Sequence, residues 1–174
     1  MKRVHFSKPK EKPLIWTNPD LKLYHGTLKK HVRSIQAGID IRKCDDGTDF
    51  GLGFYTTTSA KQAARFAHNK VWREGGTAAV IEFTLNRDAL ATFESMWFVR
   101  SARNSDDFWT LVTACRRFGE TNRGGDSWYD VVVGPVARRF QKRTYYPQYD
   151  QVSFHTERAI RLLDGSLTGV KILS

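Results

Sequence analysis

Residues 77–85 alternate apolar side chains with others, and their apolar face consists of Ala79, Ile81, Phe83 and Leu85. This period of two is typical of a β-strand. Residues 105–118 instead carry an apolar stripe at helical spacing, with acidic residues in the first turn and Arg116 and Arg117 in the last. That pattern predicts a helix whose end charges complement its dipole, and we interpret this helix as structural. A chain with both periods in short segments is expected to form an α+β domain.

The other segments are equally short. Strands are predicted at 21–25, 54–57, 128–133, 151–155, 160–163 and 169–173, and helices at 31–37 and from 58 or 59 to 73. No P-loop is present and no G-x-G-x-x-G sequence follows a strand, which disfavours nucleotide hydrolysis and Rossmann-type dehydrogenation. The sequence therefore predicts an α+β fold of roughly six or seven strands and two or three helices.

Length and composition predict the organisation of the chain. With 174 residues, 40% of them hydrophobic, we expect one domain. We place it at residues 21–174, after a Lys- and Pro-rich extended arm at residues 1–20. No apolar run reaches about 18 residues, so we expect no membrane span. Two cysteines are too few for a disulfide framework or a thiolate metal site, so we expect a cytoplasmic protein without a metal.

The net charge of +10 is concentrated near the N-terminus. Residues 1–43 contain 11 basic and 3 acidic residues, a net charge of +8, which leaves +2 for residues 44–174. Such an excess predicts a polyanionic partner, which could be nucleic acid, an acidic protein or an anionic membrane face.

Two short strings carry side chains that a hydrophobic core does not require. His25-Gly26-Thr27 places an imidazole, an unshielded backbone and a hydroxyl at a strand end. These groups suit a ribose diol and a planar amide, although a surface turn could have the same residues. Tyr55 precedes Phe66 by eleven residues, and their rings could either enclose a flat aromatic ligand or belong to the core.

A third string places Gln151, Ser153 and His155 on one face of a strand, opposite Val152 and Phe154. The alternation indicates one apolar face and one polar row. A polar row on a central strand needs hydrogen-bond partners, which could come from the protein or from a ligand.

In this order and spacing, the strings resemble the ADP-ribosyltransferase superfamily, in its branch related to diphtheria toxin and the poly(ADP-ribose) polymerases. Residues 23–41 resemble the first motif of that branch. Residues 50–67 resemble the second, a Gly-x-Gly-Ile/Leu-Tyr sequence with another aromatic residue eleven positions after the Tyr. Residues 129–137 also resemble an uncharacterised bacterial family of the same clan, often found beside antitoxin-like genes. The resemblance implies a split mixed β-sheet core with short flanking helices, and NAD as co-substrate.

The resemblance also implies a role for each matched residue. His25 would contact the adenosine ribose and Gln151 the nicotinamide ribose, and these residues with Tyr55 are the candidate catalytic residues. The Gly26 backbone would hold the nicotinamide amide, while Tyr55 and Phe66 would stack on its ring. The complete NAD site would comprise His25, Gly26, Thr27, Gly53, Tyr55, Thr57, Phe66 and Gln151.

Two positions depart from the family pattern. The third motif usually has a Glu that binds the nicotinamide ribose, and here the aligned residue is Gln151. An amide can hydrogen-bond a ribose, but it has no negative charge and is not a general base. Asp150 or Glu157 could supply a carboxylate instead. Ala63 replaces a Ser that bonds the nicotinamide amide in the polymerases.

A basic and aromatic segment precedes the third motif, where this superfamily commonly contacts the acceptor. The candidate acceptor residues are Arg138, Arg139, Lys142, Arg143, Tyr145 and Tyr146. Basic side chains neutralise phosphates, and aromatic rings stack on unpaired bases at about 1–3 kcal/mol each. The alternative is a solvated basic hairpin whose tyrosines pack on the sheet.

We therefore expect a toxin-type mono-ADP-ribosyltransferase, active in bacterial toxin–antitoxin systems or phage defence. It would transfer ADP-ribose from NAD to RNA or single-stranded DNA and release nicotinamide. One alternative is transfer to a host protein side chain, and another is an inactive module that binds NAD or nucleic acid. The positive charge would also suit an acidic antitoxin or antitoxin chaperone.

Overall fold

The computed structural model describes residues 18–99 and 105–173, so most of the arm predicted at residues 1–20 lies outside the described residues. These residues confirm the α+β fold. They form seven strands and five helices in the order β1 Leu21–Leu28, α1 Lys29–Gln36, β2 Phe54–Thr56, α2 Ala60–Glu74, β3 Ala78–Leu85, α3 Arg87–Leu90, β4 Ser95–Trp97, α4 Ser105–Phe118, β5 Val131–Arg139, β6 Thr144–Phe154, α5 Glu157–Asp164 and β7 Leu167–Ile172.

The strands form two sheets that meet at one point. One sheet has the order β1-β3-β7 and is antiparallel, whereas the other has the order β2-β6-β5-β4 and is mixed, since β4 and β5 are parallel. In the described chain, one isolated bridge joins the sheets. Tyr24 N–H donates to the Thr57 carbonyl at 2.8 Å, and Thr57 N–H donates to the Tyr24 carbonyl at 2.9 Å. Beyond this bridge β1 and β2 separate and leave a gap between the sheets.

Two hydrophobic clusters fix the layers. The first contains buried residues of both sheets and of α5, including Leu23, Phe83, Phe154 and Leu163. In the second, α4 packs Trp109 and its neighbours against β5. Burial of these apolar side chains stabilises the fold by about 25 cal/mol per Å² removed from water. The helix predicted at residues 105–118 thus has the structural role expected of it.

Helix α2 lies directly on β1 at Gly26. Ser59 caps the helix, because its side chain accepts from Gln62 N–H. A Cβ added at Gly26 would lie 2.1 Å from the Ala63 carbonyl oxygen and 3.0 Å from Ala67 N. Glycine at this position therefore allows the close approach of helix and strand, which brings α2 to the edge of the gap.

The strand predicted at residues 160–163 is wrong, since these residues lie in helix α5. Thr156 begins the helix by accepting from Ala159 N–H, and Ile160 and Leu163 are buried three residues apart on one face. A four-residue apolar run is compatible with either element, and here the cap and the contact with the core determine the outcome.

The strand predicted at residues 128–133 also extends further than expected. Strand β5 continues through Pro135 to Arg139 and pairs with β6, so the basic segment forms a β-hairpin. Proline has no N–H to donate to a neighbouring strand. It fits here because β4 pairs with β5 only at residues 131–133, so no strand on that side requires an N–H from Pro135. Strand β4 and helix α3 were not predicted. Within the described part of the chain, every helix is too short or too polar to cross a bilayer.

Candidate active site

A cleft with a volume of about 610 Å³ opens where the sheets diverge. Sites for small molecules and cofactors commonly measure roughly 300–1,000 Å³. The fold brings all eight residues of the predicted NAD site to this cleft. They are His25, Gly26, Thr27, Gly53, Tyr55, Thr57, Phe66 and Gln151.

The backbone of Gly26 directs both of its polar groups toward the gap. Two residues earlier, Tyr24 uses its N–H and C=O to bond Thr57 rather than β3. Backbone groups of alternate residues in a strand point to the same side. The N–H and C=O of Gly26 therefore point away from β3, on the side where Gly26 lines the cleft. A donor and an acceptor this close together match the two halves of a carboxamide.

His25 presents one free nitrogen. Its Nδ1 lies 2.7 Å from the Tyr55 carbonyl oxygen, and because a carbonyl only accepts, Nδ1 carries the proton. The ring stacks on Phe54, with centroids 4.2 Å apart. Burial, together with the nearby charge of Lys70, lowers the pKa of His25 to about 4. At neutral pH, Nε2 is therefore an uncharged acceptor suited to a sugar hydroxyl.

Tyr55 and Phe66 reach the cleft from different elements. The Tyr55 hydroxyl accepts from Phe50 N–H at 2.9 Å, donates to the Gly51 carbonyl at 2.8 Å and lies 2.6 Å from Thr48 Oγ1. Burial raises the pKa of Tyr55, so its hydroxyl stays protonated. Phe66 is 50% exposed and makes no aromatic ring contact within the described residues. Tyr55 is therefore a fixed wall of the cleft, and the Phe66 ring is open to a ligand.

Of the polar row predicted on β6, Gln151 alone lines the cleft. His155 Nδ1–H donates to the Leu52 carbonyl at 2.8 Å, and its Nε2 lies 2.8 Å from Ser153 Oγ. Ser153 and His155 are both buried. Their partners thus come from the protein, whereas Gln151 borders the cleft.

The two amide protons of Gln151 are both used. Nε2 donates to Asp49 Oδ2 at 2.7 Å and to the Pro135 carbonyl at 2.8 Å. An amide nitrogen has only two protons, so Oε1 is the polar atom that Gln151 has left to offer. Because Gln151 lines the cleft, this oxygen can accept from a ribose hydroxyl there.

Asp49 borders the cleft next to Gln151 but is almost fully buried, with 1% of its side chain exposed. Its Oδ2 also accepts from Ala137 N–H at 2.7 Å, and its Oδ1 lies 2.7 Å from Arg116 Nη2. Burial raises the pKa of Asp49, while Arg116 and the N–H donors oppose that rise. The ion pair with Arg116 at Oδ1 favours the ionised carboxylate, and the two N–H donors on Oδ2 stabilise the same form.

The two other carboxylates proposed from the sequence are engaged elsewhere. Asp150 lines the cleft, but its carboxylate accepts from Thr57 Oγ1, Thr58 Oγ1 and, at 3.0 Å, Thr58 N–H. Glu157 lies outside the cleft lining, is 86% exposed and pairs with Arg161. Neither takes the place that Gln151 occupies.

The acceptor residues predicted from the sequence divide between the two faces of the hairpin. Arg138 and Tyr146 line the cleft, whereas Tyr145 stacks on Trp109, with centroids 6.3 Å apart, on the side of the second core. Adjacent residues of a strand face opposite sides, which explains the difference between Tyr145 and Tyr146. Arg143 pairs with Asp106 at 2.8 Å. The remaining two, Arg139 and Lys142, are exposed and do not line the cleft.

The cleft-side residues extend into a stacked array, which we name the Arg-Tyr ladder: Arg138, Tyr146, Tyr149 and Arg65. Arg138 lies 5.8 Å from the centroid of the Tyr146 ring, and Arg65 lies 6.0 Å from that of Tyr149. The two tyrosine rings stack with centroids 4.9 Å apart and planes inclined by 20°. The ladder combines positive charge and aromatic faces at the edge of the cleft.

A second cationic region lies among the lining residues of the cleft. Lys70, on α2, is half-buried and has neither a hydrogen bond nor an ion pair within the described residues. Burial lowers the pKa of Lys70. Lys43 and Arg73 line the cleft as well. The negative charges of Glu74 and Asp45 act on Lys70 without forming an ion pair with it. A half-buried cation in this position suits an anionic ligand, because the ligand would offset the cost of desolvating the charge.

The sequence did not reveal the network behind Gln151. Asp49 stands beside the second motif, and Arg116 was interpreted as a charge in the last turn of a helix. Gln62 was not singled out, although its side chain donates to the Asp150 carbonyl at 2.6 Å and accepts from Asp150 N–H at 3.1 Å. The one signal in the sequence was the position of Asp49 directly before the second motif.

The family model described as "Protein of unknown function (DUF3990)" matches residues 21–145. The match includes His25, Asp49, Tyr55 and Phe66, and it ends before Gln151. No curated protein matches the sequence.

Proposed function

The chain belongs to the DUF3990 family of proteins of unknown function, and we propose that it is an NAD-dependent mono-ADP-ribosyltransferase acting on nucleic acid. The observation that carries the proposal is the convergence of eight motif residues, from His25 to Gln151, on one cleft of about 610 Å³. The groups present fit NAD. The Gly26 N–H and C=O could bind the carboxamide, and the exposed Phe66 ring could stack on nicotinamide. Lys70, which forms no ion pair within the described residues, could bind a phosphate.

In the proposed reaction, NAD supplies an activated bond between nicotinamide N1 and ribose C1′. The bond breaks with its electron pair going to nicotinamide, and an acceptor atom then bonds to C1′ and loses its proton to solvent. The chain would hold nicotinamide between Tyr55 and Phe66 and its amide at Gly26. His25 Nε2 would accept from the adenosine ribose and Gln151 Oε1 from the nicotinamide ribose. Lys70 would lie against the pyrophosphate.

Gln151 has a consequence for the product. An amide oxygen can orient a ribose hydroxyl, but it cannot remove a proton from one. Extension of an ADP-ribose chain requires activation of such a hydroxyl. A single transfer is therefore the outcome that this cleft favours.

The Arg-Tyr ladder supports a single-stranded nucleic acid as acceptor. Proteins that bind single strands combine positive charge along the backbone with aromatic faces on which bases stack. Arg138 and Tyr146 belong both to the ladder and to the cleft lining, so a single strand bound along the ladder would lie next to the NAD site.

The donor half of the proposal is tested by nicotinamide release from NAD. Phe66→Ala should lower the affinity for NAD by about tenfold or more, since a stacked aromatic pair contributes about 0.5–1.5 kcal/mol beyond the area that it buries. Trp72→Ala, on the same helix and 87% exposed, is the matched control and should leave the affinity unchanged. Equal effects of the two substitutions would contradict the proposed NAD site.

The acceptor half is tested with labelled NAD and separate samples of RNA, single-stranded DNA and lysate protein. We expect label in nucleic acid, and transfer that weakens steeply with salt, because each phosphate contact releases counterions. Label in protein alone would favour transfer to a host side chain.

A second candidate, an inactive NAD-binding module, is favoured by the neutral amide at Gln151. NAD binding without nicotinamide release would support it. If transfer occurs, we further propose a cytoplasmic toxin that an acidic antitoxin or antitoxin chaperone restrains, since the net charge of +10 would attract such a partner.

A further inference from the structure

The buried carboxylate of Asp49 has partners on three separate elements, an ion pair with Arg116 and two N–H donors. Arg116 comes from α4, Ala137 N–H from β5 and Gln151 from β6, each at 2.7 Å from a carboxylate oxygen. A charge buried this deeply is retained only when it is paired and hydrogen-bonded. Asp49 thus joins the hairpin to α4 at the point where Gln151 reaches the cleft.

The orientation of the Gln151 amide follows from these contacts. In the observed orientation, Nε2 donates to Asp49 Oδ2 and to the Pro135 carbonyl. A flipped amide would place Oε1 against both of these acceptor oxygens, and its two N–H groups would lose their partners. An unmade buried hydrogen bond costs about 1–3 kcal/mol, so two of them strongly disfavour the flip.

We propose that Asp49 is a positioning residue that fixes Gln151 with Oε1 toward the cleft, so that this position acts only as a hydrogen-bond acceptor. The inference rests on the proposed function for its catalytic consequence. Asp49 also brings a negative charge within one hydrogen bond of the amide, and that charge polarises Oε1 into a stronger acceptor. The ADP-ribosyltransferase superfamily usually has a carboxylate at the position of Gln151. Here the carboxylate would instead be that of Asp49, which is hydrogen-bonded to the Gln151 amide.

The test compares Asp49→Asn with Asp49→Ala. Asparagine can keep an acceptor oxygen toward Gln151 and Ala137 but loses the charge, whereas alanine loses the acceptor as well. We expect nicotinamide release to fall in kcat by about tenfold for Asp49→Asn and by more than about a hundredfold for Asp49→Ala, as for residues that orient a ligand from behind. KM for NAD should change by less than about threefold, because the Asp49 side chain, although it borders the cleft, is 1% exposed and has almost no surface that a substrate could contact.

A second measurement reads the Gln151 amide directly, whether or not NAD is cleaved. In protein with ¹⁵N-labelled glutamine, the two Nε2 protons of Gln151 should be well dispersed and slow to exchange. The variant Gln151→Met identifies the signals. In Asp49→Ala they should move to the position of a solvated amide. Asp46→Asn, an exposed acid in the same loop, should leave both signals and kcat unchanged.

The outcomes separate the inference from the proposed function. Unchanged Gln151 signals in Asp49→Ala would overturn the positioning role, as would a KM effect that accounts for the whole loss of activity. If wild-type protein releases no nicotinamide, the proposed function fails, and the amide signals alone decide whether Asp49 positions Gln151.

Discussion

Replacing Gln151 with glutamate introduces the residue that the ADP-ribosyltransferase superfamily usually has in the third motif, yet we expect it to slow the proposed reaction at neutral pH. The reason lies in the partners of the side chain. Asp49 Oδ2 and the Pro135 carbonyl are both acceptors, at 2.7 and 2.8 Å from the Gln151 nitrogen. An ionised glutamate would meet these two oxygens without a proton to donate.

The size of the effect follows from the distance. Two negative charges separated by 2.7 Å repel by on the order of 6 kcal/mol at an effective dielectric constant of about 20. Arg116 keeps Asp49 as the ionised partner, so the new carboxyl holds the proton and its pKa rises by about 4 units. A protonated carboxyl has one donor where the amide had two, and the lost bond destabilises the fold by about 1–3 kcal/mol.

The assay is nicotinamide release by Gln151→Glu and wild type from pH 6 to pH 10, with the free energy of unfolding measured in parallel. Gln151→Glu should be slower than wild type at pH 7 and should gain activity above about pH 8, where the carboxyl loses its proton. Wild type should show no such rise. A variant faster than wild type at pH 7, with unchanged stability, would refute the reasoning about Asp49.

Three further predictions concern the cleft and the fold. Lys70→Gln should raise KM for NAD by about tenfold or more, since a hydrogen bond to a charged group contributes about 1.5–3 kcal/mol. The affinity for free nicotinamide should stay unchanged. Lys61→Gln, on the exposed side of the same helix, is the control and should change neither value. Tyr146→Ala should weaken binding of a single-stranded oligonucleotide by about 1–3 kcal/mol, measured by fluorescence anisotropy at fixed salt, and an unchanged affinity would remove the ladder from the acceptor site. The folded protein should lose stability between pH 6.5 and pH 4. Burial lowers the pKa of both His25 and His155 to about 4, so the unfolded chain binds more protons in that range, and the loss should approach 3 kcal/mol per histidine in denaturant titrations.

The sequence motifs predicted the cleft lining because their spacing reflects local structure. Tyr55 lies in the short strand β2 and Phe66 lies on the following helix, so eleven residues are enough to bring both to one side. The contact at Gly26 is different, because α2 meets it at Ala63 and Ala67, far along the chain, and the sequence placed Gly26 in the site only through the first motif.

Contacts between distant segments could not be predicted in this way. Asp49 and Gln151 are 102 positions apart and meet only because β5 and β6 pair in one register. Arg116 looked like a helix-end charge, since nothing in the helix pattern indicates a partner in another loop. Tyr145 and Tyr146 lie in β6, which begins at Thr144 rather than at residue 151 as predicted, so the sequence did not indicate their opposite faces.

Mass spectrometry of RNA, single-stranded DNA and lysate protein, each incubated with the full chain and NAD, tests the central claim most directly. We expect RNA or single-stranded DNA to gain the mass of one ADP-ribosyl group per modified site. Phe66→Ala should reduce this product, and Trp72→Ala should not. Nucleic acid that stays unmodified while NAD is consumed, or modification of protein alone, would contradict the central claim.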